Sequence, residues 1–230
     1  MEQKLHTPEG VRDIYNKECE TKLTLQRKLN KVLHLYGYQD IQTPTFEYYE
    51  VFRKEIGSTS TQELYKFFDR EGNILALRPD ITPSVARAAA TLFESEDMPI
   101  RLCYAGNTFI NHSSYQGRLK ENTQLGAELI GLDSVEADAE MLAMVVDSLK
   151  QVGLEEFQVS LGHVDFIRSL LKAAGLEEDE NREIRALITN RNFFGVEEIL
   201  DAHQVKESIR EAFRLLPELT GGPEVLELAM

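Results

Sequence analysis

The sequence has 230 residues, 42% of them hydrophobic and 28% charged, which is the composition of an ordinary globular protein. Its 25 Lys and Arg residues against 39 Asp and Glu residues give a net charge of −14, which argues against a nucleic-acid partner because a phosphate backbone is bound by clustered basic side chains. No apolar run approaches the roughly 20 residues of a membrane span and the N-terminus lacks the apolar stretch of a signal peptide, so we expect a cytoplasmic chain with no membrane contact.

The order of the predicted elements indicates the fold class. In chain order they are a helix over 14–36, a strand over 38–47, a short helix over 48–56, a hairpin over 64–80, a helix that begins at Thr82, strands over 101–110 and 123–131, a helix over 134–152, a strand over 157–162, and helices over 165–174, 179–190, 195–202 and 204–215. Repeating βαβ units are absent from this order, which predicts an α+β fold with a mostly antiparallel sheet flanked by helices.

Two features refine this organisation. The predicted helices at the end of the chain are shorter, more highly charged and more amphipathic than the preceding elements. This change predicts a core domain over 1–175 and a small helical satellite over 176–230. Thr82 followed by Pro83 is a strong helix start, and Asp133 with Glu136 three residues later can cap the helix that follows.

The strand over 123–131 is the best candidate for a binding surface. Its alternation places Gln124, Gly126 and Glu128 on one face, and at a rise of about 3.3 Å per residue Gln124 and Glu128 stand about 13 Å apart. Gly126 has no side chain, which leaves a floor on which a small ligand could lie between two polar groups. The alternative interpretation is a hairpin with one solvated face.

Motifs for nucleotides and metals are missing. No P-loop is present and no GxGxxG motif follows a strand, so neither nucleotide signature is available. The five histidines show no metal-ligand spacing, and the two cysteines, Cys19 and Cys103, offer neither a disulfide framework nor a ligand set. We therefore predict no metal and no cofactor.

Three stretches together carry a resemblance to a known family. GYQDIQTPTFE at 37–47 resembles motif 1 of class II aminoacyl-tRNA synthetases, LALRPDITPSVAR at 75–87 resembles the amino-acid-binding segment of histidyl-tRNA synthetase, and NTFINHSSYQGRLKENTQLGAELIG at 107–131 resembles its motif 2. The similarity runs from residue 7 to about 165. Within this family the chain resembles in particular the catalytically silent paralogues that serve as regulatory subunits of ATP phosphoribosyltransferase.

The resemblance implies that catalysis has been lost. In the synthetase pattern Phe109 is followed by an arginine that grips the α-phosphate of ATP, and here Ile110 stands in its place. Isoleucine has no donor, and losing one transition-state donor typically costs about 10²–10³ in rate. Arg118 occupies the position of an ATP-contacting arginine in the family and is a possible anion contact. No catalytic residue is assigned.

The same resemblance implies that the amino-acid pocket is kept. By motif position, Asp80, Thr82 and Gln124 correspond to groups that hold the α-ammonium of histidine, and Glu128 to one that faces the imidazole; Asp80 replaces a glutamate of the synthetases. An ammonium needs acceptors and an imidazole N–H needs another, so the residue types fit. The alternatives are a helix cap for Thr82, pairing with Arg78 or Arg87 for Asp80, and a solvated face for the other two.

Function follows from the resemblance as an expectation. It implies a regulatory, non-catalytic subunit with L-histidine as effector, which forms a homodimer within a hetero-oligomer that contains the catalytic subunit of ATP phosphoribosyltransferase. The alternatives are a divergent histidyl-tRNA synthetase-like amino-acid-activating enzyme and a stand-alone histidine-binding module. Relatives continue past the last residue of this chain, which implies that the core domain is incomplete at its C-terminal end.

Overall fold

The structure, a computed structural model, describes residues 5–53, 61–94, 98–112 and 117–228. The chain divides into two compact units, Met1–Phe157 and Gln158–Met230. The first combines helices with two small sheets and the second is helical, which confirms the predicted α+β class. Among the described residues, none of the helices has the length and apolarity needed to cross a bilayer.

The first unit contains two three-stranded sheets. Its elements are, in chain order, α1 (Asn16–Leu35), β1 (Gln39–Asp40), β2 (Phe46–Tyr48), α2 (Glu50–Arg53), β3 (Lys66–Phe68), β4 (Ile74–Leu77), α3 (Thr82–Leu92), β5 (Ile100–Phe109), β6 (Glu121–Ile130) and α4 (Val135–Gln151). One sheet has the order β1-β5-β6 and the other has the order β2-β4-β3. Only the pairing of β1 with β5 is parallel in these sheets, so the predicted antiparallel character is confirmed.

The long hairpin of β5 and β6 forms the centre of the first unit. Along β5, Leu102 and Tyr104 pack with Ile81 and Val85 from the α3 region, while Cys103 faces the opposite side. There Leu33 of α1 and Met144 of α4 are buried, and partly buried residues of β6 pack against them. The strand alternation therefore separates a helix-covered face on the α1 and α4 side from a face that meets the start of α3, where the candidate site lies.

Two predicted strands differ from the structure. The segment 38–47 is divided between two sheets, because β1 pairs with β5 whereas β2 pairs with β4, and Pro44 lies in the break. The segment 157–162 forms no strand with any described residue, although it alternates in sequence. Alternation alone does not make a strand, since the backbone groups also need a neighbouring strand to pair with.

The second unit has its own core. Its helices are α5 (Val164–Ala174), α6 (Glu178–Thr189), α7 (Phe193–Ala202), α8 (Glu207–Leu215) and α9 (Val225–Leu228). The buried side chains at its centre are Leu171, Ile184, Val196, Leu200, Val205 and Phe213. Leu171 lies on α5, so the helix over 165–174, which the sequence placed in the core domain, packs with the helical satellite. The observed division after Phe157 therefore precedes the predicted one after residue 175.

Candidate functional site

A cluster of polar side chains lies where β6 faces the start of α3. Gln124 Nε2 donates to Asp80 Oδ1 at 2.9 Å, and Gln124 Oε1 accepts from the backbone N–H of Ile81 at 3.1 Å. The amide of Gln124 thus bridges the side chain and the backbone of the segment that leads into α3. Asp80 and Gln124, predicted from separate motifs, are in direct contact.

A second part of the cluster centres on Glu128. Thr82 Oγ1 donates to Glu128 Oε1 at 2.8 Å, and the hydroxyl of Tyr104 donates to the same oxygen at 3.0 Å. The two hydroxyl oxygens are 3.2 Å apart. All four residues predicted to bind histidine therefore belong to one group at the junction of α3 and β6, with Tyr104 as a fifth member.

The geometry decides between the alternatives for Thr82 and Asp80. Ile81, not Thr82, is the N-cap of α3, and its side chain makes no capping hydrogen bond. The backbone N–H of Thr82 donates to Asp80 Oδ1 at 3.2 Å. This is the local bond expected of an aspartate two residues before the amide. The hydroxyl of Thr82 is free to serve Glu128.

Neither arginine considered for Asp80 pairs with it. Arg78 donates to the backbone oxygens of Thr43 and Asn107, both at 2.8 Å, and Arg87 donates to the buried carboxylate of Glu47 at 2.8 and 3.0 Å. Both guanidinium groups hold the motif 1 segment in place. The carboxylate of Asp80 is consequently not neutralised by either of them.

The predicted floor over Gly126 is occupied. Gly126 lies directly opposite Tyr104 in the β5–β6 pairing, and a Cβ at position 126 would stand 2.5 Å from the Tyr104 hydroxyl oxygen. The absence of a side chain therefore makes room for the tyrosine ring rather than for a ligand. This corrects the interpretation of Gly126 as a ligand floor.

The charge of the cluster suits a cation. Asp80 and Glu128 each use one oxygen in the bonds above, and within the described residues the second oxygen of each carboxylate has no hydrogen-bond partner. Burial raises the pKa of Tyr104 above its ordinary value, so its hydroxyl stays protonated and donates to Glu128. Two partly buried carboxylates beside hydroxyl and amide oxygens have the chemistry that suits an ammonium group and a second polar N–H.

A small cavity adjoins the cluster. Its volume is about 210 Å³ and it is bordered by Ile81 and Tyr104 of the cluster region, by Arg78, and by residues of the motif 1 segment, among them Gln42 and Thr43. Arg78 is 7% exposed, and burial lowers its pKa. The cavity supplies polar space next to the tyrosine.

Ile110 and Arg118 lie outside this cluster. Ile110 follows the last residue of β5, and its backbone N–H donates to the carbonyl of Lys120 at 2.9 Å, so only an apolar side chain is offered at this position. Arg118 is exposed and borders a groove of about 210 Å³ with Gly10 and Lys120. In the described part of the chain, no hydrogen bond joins Arg118 to the four predicted residues.

Tyr104 is the site residue that motif reasoning missed. Its signal in the sequence is weak, because an aromatic residue in an apolar strand is ordinarily a core residue. Its assignment needs the register of the hairpin, which places it opposite Gly126 and beside Glu128.

Comparison with known proteins identifies relatives of the whole chain. The sequence profile described as histidyl-tRNA synthetase matches residues 10–230. The ATP phosphoribosyltransferase regulatory subunit of Acetivibrio thermocellus is 40% identical over 98% of this chain, and that of Desulforamulus reducens is 40% identical over 96%. This chain covers 54% of each, so it spans about half the length of the curated relatives it matches.

Solved structures show the same fold. A crystal structure from Bacillus halodurans C, described as an ATP phosphoribosyltransferase regulatory subunit/histidyl-tRNA synthetase, matches with a TM-score of 0.88 and 32% identity, covering 100% of this chain and 59% of that one. Apo histidyl-tRNA synthetase from S. aureus matches with a TM-score of 0.55 and 29% identity, covering 66% of this chain and 40% of that one. These likenesses confirm the predicted synthetase-like fold.

Proposed function

The chain belongs to the histidyl-tRNA synthetase family, and from that membership we propose that it is a non-catalytic regulatory subunit of ATP phosphoribosyltransferase. In this proposal the catalytic chain is separate, the complex carries out the first step of L-histidine biosynthesis in the cytoplasm, and L-histidine is the feedback effector. The regulatory subunits that are 40% identical to this chain support the proposal by their description.

The observation that carries the proposal is the contrast between two ends of one hairpin. Near α3, the polar groups of Asp80, Thr82 and Glu128 are assembled and hydrogen-bonded. At the end of β5, the position that holds an arginine in the active enzymes of the family carries Ile110. Adenylate formation needs charge stabilisation at the phosphate, which isoleucine cannot supply. A site that binds an amino acid without activating it is suited to sensing that amino acid.

Histidine fits the cluster as follows. The α-ammonium has three donors, which the free oxygen of Asp80, the hydroxyl of Thr82 and the amide oxygen of Gln124 can accept. The imidazole N–H then reaches Glu128, whose position is fixed by bonds from Thr82 and Tyr104. Charge-assisted bonds to both carboxylates explain why this site would prefer histidine over an apolar amino acid.

Feedback requires that histidine bind with different affinity to the active and the inhibited forms of the complex. The effector site lies at the start of α3, and Arg87 of the same helix is paired with Glu47 of β2. A displacement of α3 on binding would thus be transmitted to the sheet of β2, β4 and β3, which we call the motif 1 sheet because β2 begins in the motif 1 segment. That sheet is the surface we propose for homodimer formation.

The motif 1 sheet has the character of an interface. Phe46 and Tyr48 on β2 are 50% and 56% exposed, and Phe67 on the same face of β3 is 38% exposed. Phe46 and Phe67 also form an edge-to-face pair with ring centroids 5.7 Å apart. Exposed aromatic side chains grouped on one sheet are typical of protein–protein contacts, which supports a homodimer within the hetero-oligomer.

Calorimetric titration with L-histidine tests the effector site. The wild-type chain should bind one histidine per chain. Glu128→Ala should abolish the heat of binding or weaken binding by at least about 10-fold, because a charged hydrogen bond contributes about 1.5–3 kcal/mol. Glu155→Ala is the matched control, since Glu155 is an exposed glutamate of the same unit. Equal affinities for wild type and Glu128→Ala would refute the assigned pocket.

Reconstitution with the catalytic chain tests the regulatory role. The two chains should co-purify as a complex in which this protein is dimeric by light scattering, and phosphoribosyl transfer should depend on it and fall when histidine is added. Histidine-dependent ATP–pyrophosphate exchange should be absent, because Ile110 offers no donor to the α-phosphate. Exchange activity would favour the amino-acid-activating alternative, and histidine binding without a complex would favour the stand-alone module.

A further inference from the structure

Three potential metal ligands meet where α1 ends beside β1 and β5. His34 Nε2 lies 2.9 Å from Asp40 Oδ2, and Cys103 Sγ lies 3.6 Å from Asp40 Oδ1. The three ligand atoms, one from each residue, all lie within 4.8 Å of one another. None of the three belongs to the histidine cluster described above.

The fold brings these residues together although they are distant in sequence. His34 lies in the last turn of α1, and the chain reverses at Gly37, whose φ is +85°, before it enters β1. Asp40 is the direct partner of Cys103 in the parallel pairing of β1 with β5, so the two side chains emerge on one face. Ligand spacing in the sequence cannot reveal such a set, which is why no metal site is predicted from it.

We propose that His34, Asp40 and Cys103 bind one Zn²⁺ ion. Zinc takes imidazole nitrogen, thiolate sulfur and carboxylate oxygen as ligands in tetrahedral sites with ligand bonds of about 2.0–2.3 Å, so neighbouring ligand atoms stand about 3–4 Å apart. The observed spacing needs only a small adjustment to reach this arrangement. Three protein ligands leave the fourth position for water.

The chemistry of the donor set favours zinc over harder cations. Mg²⁺ and Ca²⁺ prefer sites made of oxygen, whereas a set with one thiol and one imidazole suits a borderline-soft ion. The carboxylate and the thiolate carry two negative charges, which balance the ion. The site also adjoins the C-terminus of α1, whose partial negative charge favours a cation.

Access to the site is suited to reversible binding. The side chains of His34 and Asp40 are 47% and 61% exposed, whereas Cys103 is fully buried, so the ion would first meet the two exposed ligands and then the thiol beneath them. Binding releases the thiol proton to solvent, because the ligand is the thiolate. The bound ion would add a link between the end of α1 and the paired strands β1 and β5, beyond the exposed histidine–aspartate pair seen here.

Metal titration of the full chain, first reduced and stripped with a chelator, tests the site. One Zn²⁺ should bind per chain and raise the melting temperature, and Co²⁺ should give a near-ultraviolet thiolate charge-transfer band with strong visible bands of a tetrahedral ion. Cys103→Ser should remove the charge-transfer band. His34→Ala should weaken Zn²⁺ binding by more than about 100-fold, because even outer-shell partners of a metal are worth about 10–100-fold.

Matched controls keep the result interpretable. Cys19→Ser and His163→Ala should retain the Co²⁺ spectrum and the Zn²⁺ affinity, since Cys19 is a half-buried residue near the start of α1 and His163 is an exposed residue of the second unit. His34→Ala is the variant least expected to misfold, because its side chain is exposed and not part of the core. Circular dichroism checks that the variant is folded. Absence of the band in wild type, unchanged affinity in His34→Ala, or loss of the band in Cys19→Ser would overturn the proposal.

Discussion

Tyr104 and Gly126 constrain each other across the central hairpin. A Cβ at position 126 would lie 2.5 Å from the hydroxyl oxygen and 2.6 Å from Cζ of Tyr104, which is closer than real Cβ contacts. Tyr104 is only 5% exposed and packs with Ile81 and Val85, so its ring cannot move outward without losing these contacts. The glycine at 126 is therefore required by the ring opposite it, and the ring in turn supplies the hydroxyl that orients Glu128.

We expect Gly126→Ala to lower the free energy of unfolding by about 1–3 kcal/mol, the usual cost of overpacking. It should also weaken histidine binding, because Tyr104 can no longer donate to Glu128 in the same geometry. Urea denaturation and calorimetry measure the two effects.

Partner substitutions separate this mechanism from a general loss of stability. In a Tyr104→Val background the added methyl group has space, so Gly126→Ala should cost less than it does in wild type. In a Tyr104→Phe background the ring remains and the cost should persist. Equal costs in all three backgrounds would contradict a contact between position 126 and the ring.

The candidate site could be predicted in part from the sequence. Gln124 and Glu128 are visible from strand alternation, and the motifs that resemble the synthetases supply Asp80 and Thr82. Tyr104 and the ring-filled space over Gly126 could not be predicted, because they depend on which residue of β5 lies opposite each residue of β6. Register is fixed by the packing of both faces and by the connection between the strands, and neither is visible in a local pattern.

At the scale of elements, helices are predicted better than strands. The helices over 165–174, 179–190, 195–202 and 204–215 all have counterparts, α5 to α8, because helical periodicity and end signals are local. Gly175 ends α5 with a φ of +69°, as its sequence position indicates. The predicted short helix over 48–56 is observed as α2, and its last residues lie outside the described ranges.

Short strands and caps depend on partners. The division of 38–47 between two sheets follows from where β5 and β4 lie, and the segment 157–162 lacks a paired strand in the described chain. The cap of α4 shows the same limit on a smaller scale. Ser134 accepts from the backbone N–H of Ala137 at 3.2 Å and serves as the N-cap, rather than the predicted Asp133. Both residue types are good caps, so residue type alone does not predict which of two neighbours begins the helix.

At the scale of the molecule, the two units differ in what stabilises them. The second unit combines its apolar core with a cluster of ion pairs between α7 and α8, in which Glu197 accepts hydrogen bonds from Arg214 and Arg210. These bonds, the one from Arg214 first, hold the pKa of Glu197 below its ordinary value. The side chain of Glu197 is 29% exposed, so solvent screens the pairs only in part.

The lowered pKa makes the second unit sensitive to acid. The folded pKa of Glu197 is below the unfolded value of about 4.3, so its stabilisation is complete above that pH and is lost as the pH falls through the folded value. We expect the backbone amides of α7 and α8 to lose protection against hydrogen exchange over this range. Mass spectrometry of the full chain measures the exchange.

Two neighbouring glutamates on α7 test the assignment. Glu197→Gln should lower stability at neutral pH by up to about 1 kcal/mol, within the range measured for partly exposed pairs, and should flatten the acid response of α7 and α8. Glu198→Gln changes the net charge equally but neutralises an exposed carboxylate, so it should keep the wild-type profile. If Glu197→Gln and wild type lose protection in parallel as the pH falls, another carboxylate controls the acid transition of this unit.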